Sequence, residues 1–225
     1  MELMPRDQQL ALREARLLKA KRLPAGREVR AGELEALVRA CRDDRNQIAG
    51  VRDIAVIGFL FICGLRRAEV AGIRVEDLDM EKALLTVTGK GDNERYAYPD
   101  PGTLVAVTRW LSHRSASDGP LFLPINKSGV VVYDRGGISD QAIYNIVQKR
   151  QRRAGVQQCA PHDFRRSFAT ELLRQKVDLP TVQRLMGHAD PSTTARYDTR
   201  QPEEDRLATR GLECPGFDGH CQASF

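Results

Sequence analysis

A chain of 225 residues with 41% hydrophobic content can bury one sizeable core, with room for a short appendage. Its formal net charge of +5, with 29% charged residues, suits a polyanionic partner, although a balance of this kind is common among soluble proteins. No apolar run approaches the ~20 residues that span a bilayer, and the charged stretch Met1 to Lys21 has no secretory h-region. Cys41, Cys63, Cys159, Cys214 and Cys221 are an odd, scattered set without a CxxC pair, which argues for a reducing compartment rather than a disulfide framework. The expectation is a soluble protein of the cytoplasm, not associated with a membrane.

In chain order, Arg6 to Arg22 reads as a short helix with a ragged apolar face, ended by Pro24 and Gly26. Residues 1–28 are therefore expected to be a helix and linker. Leu34, Leu37, Val38 and Cys41 recur at i, i+3, i+4 and i+7, one face of a helix. Asp53 to Cys63 is apolar nearly all round, as a buried helix is. Gly64 ends it, and Arg67 to Gly72 starts another turn. Ala83 to Thr88 and Tyr96 to Tyr98 flank Gly89, Gly91, Asp92 and Asn93, a hairpin pattern. Thr103 to His113 is helical with Leu104, Val107, Trp110 and Leu111 inward. Leu121 to Leu123 and Val130 to Tyr133 read as short extended pieces.

Ser139 caps a helix bearing Ile143, Ile146 and Val147, which ends in the basic cluster Lys149, Arg150, Arg152 and Arg153. Pro161 starts a helix with Phe164, Phe168, Leu172 and Leu173 on one side. Pro180 starts another with Val182, Leu185 and Met186, stopped by Gly187. A fourth opens at Pro191 and ends near Tyr197, and Glu203 to Arg210 is a candidate last helix. Residues 211–225 have no periodicity and read as a mobile tail. The fold class is α+β, mostly α-helical, with one small antiparallel sheet.

Four segments place polar groups at helix starts and tight turns: Arg66 after the buried helix, Lys90 between two glycines, His162 and Arg165 three residues apart, and His188 with Tyr197. Each alone has a plain structural reading: Arg66 paired with Glu69, Lys90 in a charged turn, His162 as a cap, His188 as a helix stop. The basic cluster reads equally as a backbone-contacting patch for nucleic acid or as a solubilising helix end.

Together the segments resemble the catalytic domain of the tyrosine recombinases, over about Gly32 to Arg210. GLRRAEVAGI resembles the box around the family's first catalytic arginine, TGKGDNER its lysine hairpin, PHDFRRSFATELL its HxxR box, and LMGHADPSTTARYDTR the box ending in the nucleophile. The spacing of His188 and Tyr197 (197 − 188 = 9) is the one the family pattern expects. Arg166 stands where many members have a second His, and only about thirty residues precede the resembling part, where the family usually has a DNA-binding domain.

The resemblance implies a catalytic domain over 29–210, with 1–28 a remnant of the connection to that other domain. It implies site-specific recombination or integration of double-stranded DNA through a 3′-phosphotyrosine intermediate, with Arg66, Lys90, His162, Arg165, His188 and the nucleophile Tyr197 as catalytic residues. No metal or other cofactor is implied. The partners are double-stranded DNA and further copies of the chain, a homotetramer on DNA and a monomer when free. A topoisomerase-like nicking and closing activity, or a DNA-binding remnant without catalysis, are the alternatives.

Overall fold

The computed structural model describes residues 26–89, 94–115, 118–187 and 209. Expectations for residues 1–25, for Lys90, and for His188 through Tyr197 and the tail lie outside them, apart from the helical Thr209.

Helix α1 (Ala31–Arg42) buries Leu34, Leu37, Val38 and Cys41, the face expected from their spacing. Helix α2 (Gln47–Ile62) is the centre of the molecule, and α1 and most of the helices that follow pack against it. It starts six residues before the expected Asp53, because Asn46 caps it by accepting from the Ala49 N–H at 3.0 Å. Hydrophobic pattern missed this first part because Arg52 and Asp53 are polar. Both are buried here, joined to each other at 2.8 Å. Ile57, Phe59, Leu60 and Ile62 are fully enclosed, and burying each side chain contributes about 1.5–3 kcal/mol.

Helix α3 (Arg67–Gly72) and a 3-10 turn (Val75–Asp77) lead into β1 (Leu78–Asp79), β2 (Leu84–Thr88) and β3 (Glu94–Ala97). These form an antiparallel sheet of order β1-β2-β3, in which Val87 faces Arg95 and Thr88 faces Glu94. The two-residue β1 was not anticipated, and Tyr98 is buried just beyond β3 rather than inside it.

Helix α4 (Pro101–His113) is capped by Asp100 and lies close enough to α2 that a Cβ at Gly58 would stand 2.5 Å from Thr103 Oγ1. Val107 and Trp110 are buried, whereas Leu104 and Leu111 are only partly so. The Trp110 indole N–H donates to the Leu121 carbonyl at 2.7 Å. Leu121, Phe122 and Leu123 are core residues, but the expected extended pieces here amount to isolated bridges, Arg74 with Pro120 and Ile125 with Val131.

Helix α5 (Asp140–Ala154) begins at Ser139, whose hydroxyl accepts from the Ala142 N–H at 3.1 Å. Helix α6 (Pro161–Arg174) buries Phe164, Phe168 and Leu172. Leu173 is 47% exposed, since the next residue after the i, i+4, i+8 stripe turns about 100° away from it. Helix α7 (Leu179–Met186) is capped by Asp178 and ended by Gly187, whose φ of 59° is left-handed. Among the described residues, no helix is long and apolar enough to cross a membrane. Cys41, Cys63 and Cys159 are buried free thiols packed in the core.

Candidate active site

The turn between α2 and α3 sets the first arginine. Gly64 has φ of 58°, and a Cβ there would lie 2.3 Å from the Phe168 ring. The chain can therefore press against α6 before Leu65 enters the core and Arg66 turns outward. Glu69, in the first turn of α3, accepts from the Arg66 backbone N–H and from its Nη1, both at 2.7 Å. The Arg66–Glu69 pair offered by the plain structural reading is thus present, but the carboxylate is shared.

Arg95, on β3, grips Glu69 bidentately, Nη1 to Oε1 at 3.0 Å and Nη2 to Oε2 at 2.8 Å. Burial alone would raise the Glu69 carboxyl, but the bonds from Arg95 and from the Arg66 backbone more than offset it and hold the group below its ordinary range.

Arg165 projects from the first turns of α6 and is 3% exposed. It donates to the Gly64 carbonyl at 2.6 Å and to the Met186 carbonyl. Arg66 Nη2 donates to the Gly187 carbonyl at 3.0 Å, and Arg95 Nε to the Leu185 carbonyl at 3.1 Å. Three guanidiniums from three distant segments therefore meet three successive carbonyls at the end of α7. Such terminal carbonyls lack helical partners and carry the negative pole of the helix dipole.

These contacts satisfy the donors without neutralising them. Among the described residues no carboxylate bonds Arg165, and its pKa is lowered to about 10 by burial and then by the charge of Arg66. A cluster of three positive charges against one negative favours a multiply charged anion with oxygens for the guanidinium forks.

Arg66 and Arg165 are thus brought together. His162 is exposed at the start of α6, one helical turn from Arg165. It is not the cap: Ala160 is the N-cap residue, and Asp163, at the third helical position, accepts from the Ala160 N–H at 2.8 Å. Lys90 follows β2, and His188 follows Gly187 at the arginine-bound end of α7. These two and Tyr197 lie outside the described residues. Glu69 has both oxygens engaged by arginines, and no group of three or more metal-ligating side chains occurs among the described residues.

Sequence reasoning missed Arg95, although it lies in the quoted hairpin motif. Only its pairing with Glu69, 26 residues away, gives it meaning.

The basic cluster needs a correction. Arg150 is fully buried and is not available to a DNA backbone. It bonds Asp53 Oδ2 through Nε at 2.8 Å and Nη2 at 2.6 Å, and reaches Asp44 Oδ2 at 2.5 Å. Lys149 and Arg153 keep half-exposed side chains but also pair with Asp44, at 2.7 and 2.8 Å. Arg152 is exposed, and these three cations line an open groove with Tyr144, Asn145 and Gln148.

Known proteins resemble this chain in sequence and in fold. The pattern of the phage integrase family matches residues 27–204. Tyrosine recombinase XerC of Staphylococcus epidermidis is 35% identical over 167 residues, covering 73% of this chain and 54% of the relative. XerC of Staphylococcus aureus is 34% identical over the same length. The chain thus spans about half the length of the curated relatives it matches. Among solved structures, the integrase of mycobacterium phage Brujita superposes with a TM-score of 0.63 at 26% identity, over 87% of this chain and 60% of that one. XerA recombinase superposes at 0.60 with 22% identity, over 91% and 75%, a likeness of fold.

Proposed function

The chain belongs to the phage integrase family of tyrosine recombinases, and on that premise we propose that residues 29–210 are the catalytic domain of a site-specific recombinase acting on double-stranded DNA. The observation that carries the proposal is the convergence of Arg66 and Arg165, 99 residues apart, on the carbonyls of one helix end, beside a single carboxylate, Glu69, that Arg66 shares with Arg95.

Tyr197 attacks the scissile phosphorus, forming a 3′-phosphotyrosine ester and releasing the 5′-oxygen. Arg66 and Arg165 hold the non-bridging oxygens, where negative charge grows in the transition state. Lys90 protonates the departing 5′-oxygen, His162 takes the phenol proton, and His188 bonds the phosphate or orients the nucleophile. The broken bond is stored as an ester, so religation needs no external energy source. Arg152, with the exposed ends of Lys149 and Arg153, supplies sequence-independent contact to the DNA backbone. The working assembly is a homotetramer on two DNA sites, formed from monomers in the cytoplasm.

The test is covalent capture. The unaltered chain is incubated with a pool of nicked duplexes carrying a randomised core, and adducts that survive denaturation are sequenced. Tyr197→Phe is expected to bind the selected duplex with unchanged affinity and form no adduct. Adduct formation by that variant removes Tyr197 from the mechanism. Relaxation of supercoiled plasmid without exchange between two selected sites would instead favour nicking and closing alone.

A further inference from the structure

We infer that Arg95 is a positioning residue, which neutralises Glu69 and so reserves the charge of Arg66 for a phosphate. The inference rests on the reading of Arg66 and Arg165 as the phosphate clamp, and it concerns a residue that touches neither the phosphate nor the nucleophile in that reading.

Glu69 presents a problem for a phosphate clamp. Its side chain is only 7% exposed, and it lies 2.7 Å from Arg66 Nη1. Unopposed, it would cancel the charge of Arg66 and repel an incoming phosphate. Arg95 removes the conflict. Its side chain is 10% exposed, and its fork covers both oxygens of Glu69. Glu69 then keeps its geometric role, capping α3 and aiming Arg66, while the group as a whole retains a positive charge.

The position of Arg95 is itself enforced. It faces Val87 across the β2–β3 ladder, at the base of the hairpin that carries Lys90. Its Nε holds the Leu185 carbonyl. Gly187 makes room for it: a Cβ there would stand 2.7 Å from Arg95 Cδ and 2.9 Å from Nε. One guanidinium thus joins the lysine hairpin, the arginine turn and the helix end that precedes His188.

A purely structural role and this electrostatic one predict opposite results for Glu69. Inorganic phosphate is titrated into the full chain while the ¹⁵N side-chain signals of Arg66 and Arg165 are followed. Arg95→Gln is expected to weaken phosphate binding by about tenfold, the loss of one nearby positive charge, and Arg95→Lys by less. Glu69→Gln is expected to bind phosphate at least as tightly as the unaltered chain, and Glu69→Gln/Arg95→Gln to recover most of the loss. Should Arg95→Gln fail to fold, the Glu69→Gln and double variants still decide, since neither buries an unpaired carboxylate. If Glu69→Gln weakens phosphate, or the double variant binds no better than Arg95→Gln, Arg95 is only a packing residue. If phosphate leaves both arginine signals of the unaltered chain unmoved, the clamp reading itself fails.

Discussion

Two buried arginines of this molecule have opposite electrostatic settings. Arg150 and Arg165 are 0% and 3% exposed, each on a long helix, each with several hydrogen bonds. Burial would lower the pKa of Arg150, but Asp53 more than offsets this and the value is raised. Arg165 has no such partner among the described residues, and its value falls to about 10. At the junction of α1, α2 and α5, the buried charges are matched, Arg52 and Arg150 against Asp44 and Asp53, while the half-exposed Lys149 and Arg153 add their pairing with Asp44 from the rim, where water screens them. At the end of α7, Arg66, Arg95 and Arg165 share Glu69 and otherwise meet carbonyls. A charge-matched cluster holds helices together, whereas one with surplus charge holds them together and waits for an anion.

The sharpest way to break this contrast is to remove each arginine in turn. Arg150→Met leaves buried carboxylates short of partners and is expected to cost about 3–5 kcal/mol, a fall in Tm of roughly 10 °C by calorimetry. Arg165→Met is expected to lower Tm by less, since it removes hydrogen bonds to the Gly64 and Met186 carbonyls but strands no carboxylate among the described residues. DNA cleavage by that variant should drop about 10²–10³-fold, the usual cost of one transition-state donor. A large loss of Tm in Arg165→Met with normal cleavage would reverse the assignment.

Acid sharpens the comparison from the carboxylate side. Burial would raise the Asp44 carboxyl, but hydrogen bonds from Lys149, the Asn46 backbone, Arg150 and Arg153 hold it well below the usual carboxylate range. As pH falls through about 4, the unfolded chain takes up this proton first, so folding stability is lost in that range. Asp44→Asn is expected to flatten the acid limb of a stability–pH curve. An unchanged slope in that variant would show that the junction does not govern acid unfolding.

The smallest expected effect is at the rim. Lys149 is 51% exposed, and its exposed pairing with Asp44 contributes about 0.2–1 kcal/mol. Arg152→Ala should leave stability alone and reduce the salt dependence of DNA binding by about one phosphate contact. An unchanged salt slope in Arg152→Ala would withdraw the groove from the DNA interface.

Much of the fold was legible because its signals are local. Ser139 capping α5, Gly187 stopping α7 and the stripe of Leu34, Leu37, Val38 and Cys41 each involve residues within a few positions of one another. The start of α2 was not legible, because Arg52 and Asp53 look exposed until their partners are known. Arg150 was misread for the same reason. In sequence it stands beside Lys149, Arg152 and Arg153, and nothing there reveals that its side chain points into the core.

From the order of its residues alone this protein could be placed in its family, and its helices, hairpin and six candidate catalytic positions could be named. Tertiary structure decided which arginines serve the fold and which present charge to an anion. The reason is that a guanidinium takes its role from the charges around it. For Arg150, Arg165 and Arg66 those charges and dipoles come from segments 97, 101 and 121 residues away.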